Sequence, residues 1–361
     1  MYASAIQARE NRMTRRMAAV CAAALAGLAA PAARAEWMER TEAIMGTRCY
    51  VELWADDPVQ GDAALDAVMA ELRRIDDLMS HYKPESELSQ INARANREPV
   101  QVDKELFDLI KRSTWFSQVT DGAFDITYAS VGYLYDYPGH VRPTETQIEA
   151  ALPAVNWRNL LLDESNHTVR FEHAGMRIDL GGIGKGYAVD RGAEILKARG
   201  IHNAIVTAGG DSRILGDRRG RPWLVAIRHP DNPHKVVTRI PLSDTAVSTS
   251  GDYERYFDEG GVRYHHIIDP RTGHSASKVR SATILAPTGV ETDGMSKTAF
   301  VLGAEKALAI INRMPGYDAV FVLPDGHVVY SNGLRPPAPR PPDSPSGPSP
   351  AATASGPHGA H

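Results

Sequence analysis

Between Leu65 and Met79 the apolar residues return at Leu65, Val68, Met69, Leu72, Ile75 and Met79. Steps of three or four put them in one stripe on a helix with about 3.6 residues per turn, and the spacing predicts a helix ending near Ser80. Asp103 can offer a side-chain oxygen to the free amides of a second helix, carried by Leu106, Leu109, Ile110 and Phe116 and stopped near Asp121-Gly122. A third helix is expected after the glycine-rich turn Gly181–Gly186. Short apolar and β-branched runs predict strands at Cys49–Trp54, Thr168–Phe171, Ala204–Thr207, Trp223–Ile227, Tyr264–Ile268, Ala282–Leu285 and Ala319–Leu323, with a helix between the last two. Strands and helices mix without the regular alternation of a parallel sheet, which predicts an α+β fold in one compact body.

The two ends depart from this pattern. Arg15 and Arg16 precede an Ala/Leu-rich run from Met17 to Ala30 and then Ala33-Arg34-Ala35, the order of an export signal. The run is too short and alanine-rich to span a bilayer comfortably. Residues 1–35 are therefore expected to be a signal peptide and the mature protein periplasmic, with the arginine pair hinting at twin-arginine export. Residues 335–361 are dominated by Pro, Ser, Gly and Ala, a composition that cannot bury enough apolar surface to fold, so a disordered tail is expected there. Residues 36–334 remain as one catalytic domain.

Composition narrows the chemistry. Of 361 residues 43% are hydrophobic, and the formal net charge is −4 at pH 7. Loss of the arginine-rich leader makes the chain more acidic, and no basic stretch is interleaved with aromatics, so nucleic acid is not an expected partner. Without Cys21, Cys49 stands alone and cannot form an internal disulfide; neither thiol catalysis nor a cysteine metal cluster is favoured.

Three stretches can carry chemistry. In Asp179-Leu-Gly-Gly-Ile-Gly-Lys-Gly-Tyr187 a carboxylate is followed by a flexible turn, a lysine and a helix start. Glycines admit a ligand close to the backbone, and free amides with Lys185 supply positive potential for a diphosphate. The spacing fits neither a Walker loop nor a dinucleotide fingerprint, and a tight connection alone would also explain it. In Tyr264-His-His-Ile-Ile-Asp-Pro-Arg-Thr-Gly273 the adjacent His265 and His266 point to opposite faces of a strand, so one is a core histidine while the other can serve as a general base. Asp269–Gly273 is then the turn that ends the strand. In Glu291-Thr-Asp-Gly-Met-Ser296, taken as a loop leading into a helix that runs to Leu302, Asp293 is either an N-cap or, beside phosphates, a holder of Mg²⁺. Asp121-Gly-Ala-Phe-Asp125 is equally well a helix-stopping turn or a ligand contact.

The order of these motifs resembles the ApbE family, the FAD:protein FMN transferases. The resemblance runs from Met45 to about Leu334. It is carried by Met45-Gly-Thr47, Ser80-His-Tyr82 to Ser89-Gln-Ile-Asn92, Asp121–Asp125, Asp179–Gly186, Gly209-Gly-Asp211, Thr249-Ser-Gly251, His266–Gly273 and Asp293 through Gly303. It implies an α+β fold related to the tunnelling fold. The implied enzyme binds FAD and Mg²⁺, cleaves the FAD diphosphate, joins FMN through a phosphodiester to a Thr or Ser of a target protein and releases AMP. The target it implies is a membrane-associated electron-transfer subunit. By the same analogy Met45, Tyr82, Ala123, Phe124, Asp125, Asp179, Lys185 and Ile267 line the FAD site, and Asp293 with oxygen near Gly182 holds the metal. His266 is then expected to deprotonate the acceptor, with Lys185 neutralising the diphosphate. The competing expectations are an FAD carrier with weak or no transfer and a metal-dependent FAD diphosphatase.

One position departs from the family pattern. Four residues after Asp293 the family usually has Thr or another small residue, whereas here Lys297 stands there and Thr298 follows. A protonated lysine cannot coordinate Mg²⁺. Either Thr298 takes over through a local shift, or Lys297 replaces part of the metal's charge, or transfer is weakened or metal-independent; the second is preferred, because a cation here still faces the diphosphate.

Overall fold

A computed structural model describes residues 35–335. Residues 1–34 and 336–361, with the expectations placed on them, lie outside the described residues.

Eight antiparallel strands form the main sheet and lie side by side in chain order: Glu36–Ile44, Thr47–Ala55, Ala204–Ala208, Asp211–Leu215, Ala246–Gly251, Ser281–Ala286, Asp318–Val322 and Val328–Tyr330. The first two are joined by a two-residue turn in which Met45 (φ 55°) and Gly46 (φ 66°) are both left-handed, the geometry that matches the twist of the flanking strands. Two of the four long connections supply the helices packed on the sheet. Residues 56–203 contain the helices Pro58–Met79, Glu87–Arg94, Lys104–Val119 and Gly184–Ala198 with a three-stranded sheet, and residues 287–317 contain Gly289–Leu302 and Ala304–Ile311.

Burial follows the two-residue period of the strands. One face packs against Pro58–Met79, Gly184–Ala198 and Gly289–Leu302 around Val51, Leu53, Leu72, Val206, Ile284 and Phe300, all fully buried. Against the other face lies the hairpin Trp223–His229/Asn232–Leu242, whose Trp223, Ile227 and Ile240 meet Val247, Leu285 and Val320. The helix expected before Ser80 is present and opens at Pro58 behind an Asp57 cap. Asp103 caps the next long helix by accepting from the Glu105 amide at 2.7 Å.

Two expectations are corrected. Residues 291–296 are not a loop: the helix begins at Gly289 behind a Thr288 cap, and Asp293 lies inside it rather than at its N-cap. The strand expected at Tyr264–Ile268 stops at His265; Ile268 makes only an isolated bridge to Ser275. Several elements had no clear sequence signal, among them the edge strand Glu36–Ile44 and the strand Ala246–Gly251.

The helices Gly184–Ala198 and Gly289–Leu302 meet backbone to backbone. A Cβ on Gly186 would lie 2.1 Å from the Gly289 carbonyl oxygen and 2.7 Å from the Asp293 Cβ, and a Cβ on Gly289 would lie 2.4 Å from the Gly186 carbonyl oxygen. Neither obstacle is a side-chain end that could swing away. Gly186→Ala is therefore expected to destabilise the protein by about 3 kcal/mol, read as a fall in the urea midpoint with an unchanged slope; a midpoint equal to wild type would refute the close crossing.

Candidate active site

The glycine crossing places Asp293 against the start of the preceding helix. Its side chain is fully buried. Oδ2 accepts the Gly186 amide at 3.0 Å and lies 3.5 Å from Lys185 Nζ, while Oδ1 faces Lys297 Nζ at 2.5 Å. Burial by itself would raise the Asp293 pKa, but the two ammoniums and the amide overcome it and hold the carboxyl at about 2.

Lys185 Nζ also lies 3.1 Å from Asp211 Oδ2 and donates to the Gly181 carbonyl at 3.3 Å. Burial disfavours its charge, yet the Asp211 and Asp293 carboxylates push its pKa above the ordinary lysine range. Asp211 moves the other way from most ion-paired carboxylates. Burial and the charge of Asp293 raise it, and Lys185 offsets them only in part. Its Oδ1 is buried without a hydrogen-bond partner.

Beside this cluster lies a cleft lined by the apolar side chains of Phe124, Ile267 and Val301 and by Asp179, His266 and Lys297. Asp179 is almost fully buried and well partnered. It accepts Gly181 N–H at 2.6 Å and Tyr128 O–H at 3.1 Å on Oδ1, and His81 Nδ1 lies 2.6 Å from Oδ2. Burial opposes its charge, but His81 and the other donors win and lower its pKa. The His81 and Tyr82 rings are in contact at a tilt of 40°, with centroids 3.8 Å apart.

The adjacent histidines separate as their opposite directions require. His265 is buried and its Nε2 lies 2.7 Å from the Ala276 carbonyl, a core role. His266 faces the cleft, and its Nδ1 is shielded from solvent without a protein partner. Burial, then the charges of Arg255, Lys297 and Lys185 with His265 beside them, lower its pKa to about 3, so the imidazole is neutral at ordinary pH.

The expected FAD-site residues divide by position. Ala123, Phe124, Asp125, Asp179 and Ile267 line the cleft. Asp125 spends both oxygens on the protein, accepting the Thr127 amide and hydroxyl at 2.8 and 2.7 Å and the Trp157 amide at 3.0 Å. Tyr82 stands outside the wall and is 75% exposed, touching the site only through its tilted ring contact with His81. Met45 is also off the wall, on the hairpin turn; a Cβ on the neighbouring Gly46 would lie 3.6 Å from the Arg255 guanidinium. Lys185 sits beside the cleft with its donors turned to Asp211, Asp293 and Gly181, so it acts on a ligand through its field rather than by direct donation. Sequence reasoning had assigned no role to Asp211, His81, Tyr128 or Arg255. Asp211 had a usable signal, a carboxylate directly after two glycines at the start of a short strand.

The residues present do not fit Mg²⁺ at Asp293. Magnesium asks for about six oxygens in near-octahedral array, and here one Asp293 oxygen faces an ammonium while the other faces an amide and a second ammonium. Two carboxylates are already matched by two lysines. Thr298 does not substitute. Five residues along a helix put it about 140° from Asp293, and its buried hydroxyl donates to the Gly294 carbonyl at 3.0 Å. Gly182 lies against the lysine stem instead: a Cβ there would be 3.3 Å from Lys297 Cγ. Among the described residues no three His, Cys, Asp or Glu side chains converge on a metal position.

Comparison with known proteins agrees with this architecture. The sequence model of the ApbE family matches residues 45–321. An FAD:protein FMN transferase of Treponema pallidum is 34% identical over 334 residues, covering 87% of this chain and 92% of that protein. One from Vibrio cholerae is 33% identical over 253 residues, covering 68% of this chain and 75% of that protein. The crystal structure of the ApbE protein of Thermotoga maritima superposes with a TM-score of 0.77 at 35% identity, covering 82% of this chain and 98% of that one. The flavin transferase ApbE of Vibrio cholerae superposes at 0.73 with 28% identity, covering 83% and 98%.

His266 gives the site a pH signature. An unfolded histidine takes up a proton near pH 6.5, whereas the folded one resists until about 3. Below pH 6.5 the unfolded state binds more protons, so stability is full above that pH and is lost as pH falls towards 3. Unfolding free energy measured from pH 7 to pH 4.5 is expected to decline with a contribution from this site of up to about 1.4 kcal/mol per pH unit. His266→Asn should remove that contribution; an identical slope in the variant would show that the imidazole is not held neutral.

Proposed function

The chain belongs to the ApbE family, and from that footing we propose that it is an FAD:protein FMN transferase, joining FMN to a hydroxyl of an acceptor protein and releasing AMP. The observation that carries the reading is the His266 imidazole, its Nδ1 buried without a hydrogen-bond partner, lining the same cleft as the Lys297 side chain. Transfer between a diphosphate and an alcohol needs a proton acceptor for the alcohol and positive charge for the phosphates.

The acceptor is a Thr or Ser side chain. Its oxygen attacks the phosphorus on the flavin side of FAD and its proton passes to the His266 imidazole. The bond from that phosphorus to the bridging oxygen breaks, and the oxygen leaves with AMP. Phe124, Ile267 and Val301 offer apolar surface for a flat ring system, while Asp179, fixed by His81, Tyr128 and the Gly181 amide, offers carboxylate oxygens to polar N–H or O–H groups of the ligand. An imidazole with a pKa near 3 is a weak base, but part of that depression comes from Lys297 and Lys185. An anionic diphosphate beside them cancels part of their field and makes the imidazole more basic when substrate is in place. Magnesium has no part in the step, because the residues around Asp293 do not fit it.

The acceptor proposed is a periplasmic domain of a membrane-bound electron-transfer protein, in keeping with the export signal read from Arg15 to Ala35. No helix among the described residues is long and apolar enough to cross a membrane.

Incubation of the protein with FAD and a candidate acceptor, followed by mass spectrometry, tests the reading. An acceptor heavier by one FMN is the expected product; intact FAD would indicate a carrier, and free FMN with AMP a diphosphatase. His266→Ala is expected to slow transfer about a hundredfold or more with FAD affinity within about threefold of wild type. Transfer at the wild-type rate would take the base role away from His266.

A further inference from the structure

Resting on the transferase reading, the geometry points to Lys297 as the cation that serves the FAD diphosphate in this protein, so that transfer proceeds without a divalent metal. A lysine ammonium has three donors. At Lys297 one is directed at Asp293 Oδ1, 2.5 Å away, and a second at Ser296 Oγ, 3.1 Å away. The third is uncommitted, on a side chain that lines the cleft. Lys185 does not line the cleft, and its ammonium faces Asp211, Asp293 and the Gly181 carbonyl instead.

Lys297 is also fixed from behind. Ser296 Oγ donates to the Asp293 carbonyl at 2.9 Å and lies 2.9 and 3.2 Å from the hydroxyls of Ser250 and Ser248 on the adjacent strand. Gly182 leaves room for the lysine stem, which a side chain at that position would crowd. An ammonium held in this way is oriented before substrate arrives, which is what makes charge stabilisation effective in a partly dry site. The same contacts disfavour Mg²⁺. To reach Asp293 Oδ1 the ion would have to expel a charged partner from a fully buried carboxylate and then sit beside two ammoniums.

The step balances without a metal. The acceptor hydroxyl gives its proton to His266, its oxygen bonds to the flavin-side phosphorus, and the bridging oxygen departs on AMP. Lys297 donates to phosphate oxygens throughout and neither gains nor loses a proton.

Three proteins test the inference: wild type, Lys297→Thr and Lys297→Arg, each stripped with EDTA. Transfer of FMN to the acceptor is followed by mass spectrometry in EDTA and in excess Mg²⁺, and Mg²⁺ is titrated calorimetrically into each protein with FAD present. Wild-type rates in the two conditions are expected to agree within about twofold, with no saturable Mg²⁺ binding. Lys297→Thr should lose about a hundredfold in EDTA and regain most of it with Mg²⁺, now with saturable binding; Lys297→Arg should remain EDTA-resistant. A wild-type rate that falls more than about tenfold in EDTA overturns the inference whatever the variants do, as does Lys297→Thr transferring at the wild-type rate in EDTA. Wild type inactive in both conditions, against acceptors that other flavin transferases modify, instead overturns the transferase reading on which the inference rests.

Discussion

The molecule is organised around one buried carboxylate. Asp293 has no contact with solvent, and its charge survives there because a backbone amide and two lysines converge on it. An unpaired charge in that position would be expelled or neutralised. The convergence requires two helices to touch at Gly186 and Gly289, and that contact fixes where the glycine-rich turn, Lys185 and the floor of the cleft can lie. A buried ion cluster is a poor source of net stability, because desolvation consumes most of the Coulombic gain. What it provides here is position, with fixed positive charge directly beside an open cavity.

Much of the fold was legible because most elements obey their own period. The Pro58–Met79 helix has its apolar stripe on one side, and the strands at Thr168–Phe171 and Ser281–Ala286 are short apolar runs with clear ends. The Gly289–Leu302 helix was misplaced at its start for a physical reason. It lies between the sheet and other helices and is buried nearly all round, through small and polar residues such as Thr292, Gly294, Ser296 and Thr298. No apolar face emerges from such a pattern, and a run of Thr, Asp, Gly and Ser looks like a loop. The strand Ala246–Gly251 escaped notice similarly: its Ser248 and Ser250 face Ser296 across a polar seam inside the core.

The site was legible in its members more than in its wiring. The alternation expected of a strand set His265 and His266 on opposite faces without saying which faces the site, and the strand in fact ends at His265; Asp179 with Lys185 stood out as charges around a glycine turn. The identity of their partners could not be read, because the pairs span the chain: Asp179 with His81, Asp293 with Gly186, Lys185 with Asp211. Lys297 stood out by its departure from the family pattern four residues after Asp293, not by helical spacing, because that stretch reads as a loop. A sequence does not reveal whether such a neighbour coordinates, competes or compensates, which depends on the count of charges that the fold assembles.

That count joins the two functional parts of the cleft. The lysines that hold Asp293 also contribute to keeping His266 unprotonated, so the positive charge suited to an anionic substrate keeps the base free of its proton before substrate arrives. A base set near neutrality by a carboxylate partner would differ: it would be partly charged in the empty site and to that extent unable to take a proton. Here the substrate's own phosphates are the counter-charge, so basicity rises when they bind and falls when AMP leaves. A fixed ammonium suits this arrangement better than an exchangeable ion, because its charge is present at the same place in every state of the site. The imidazole is then switched by the substrate alone.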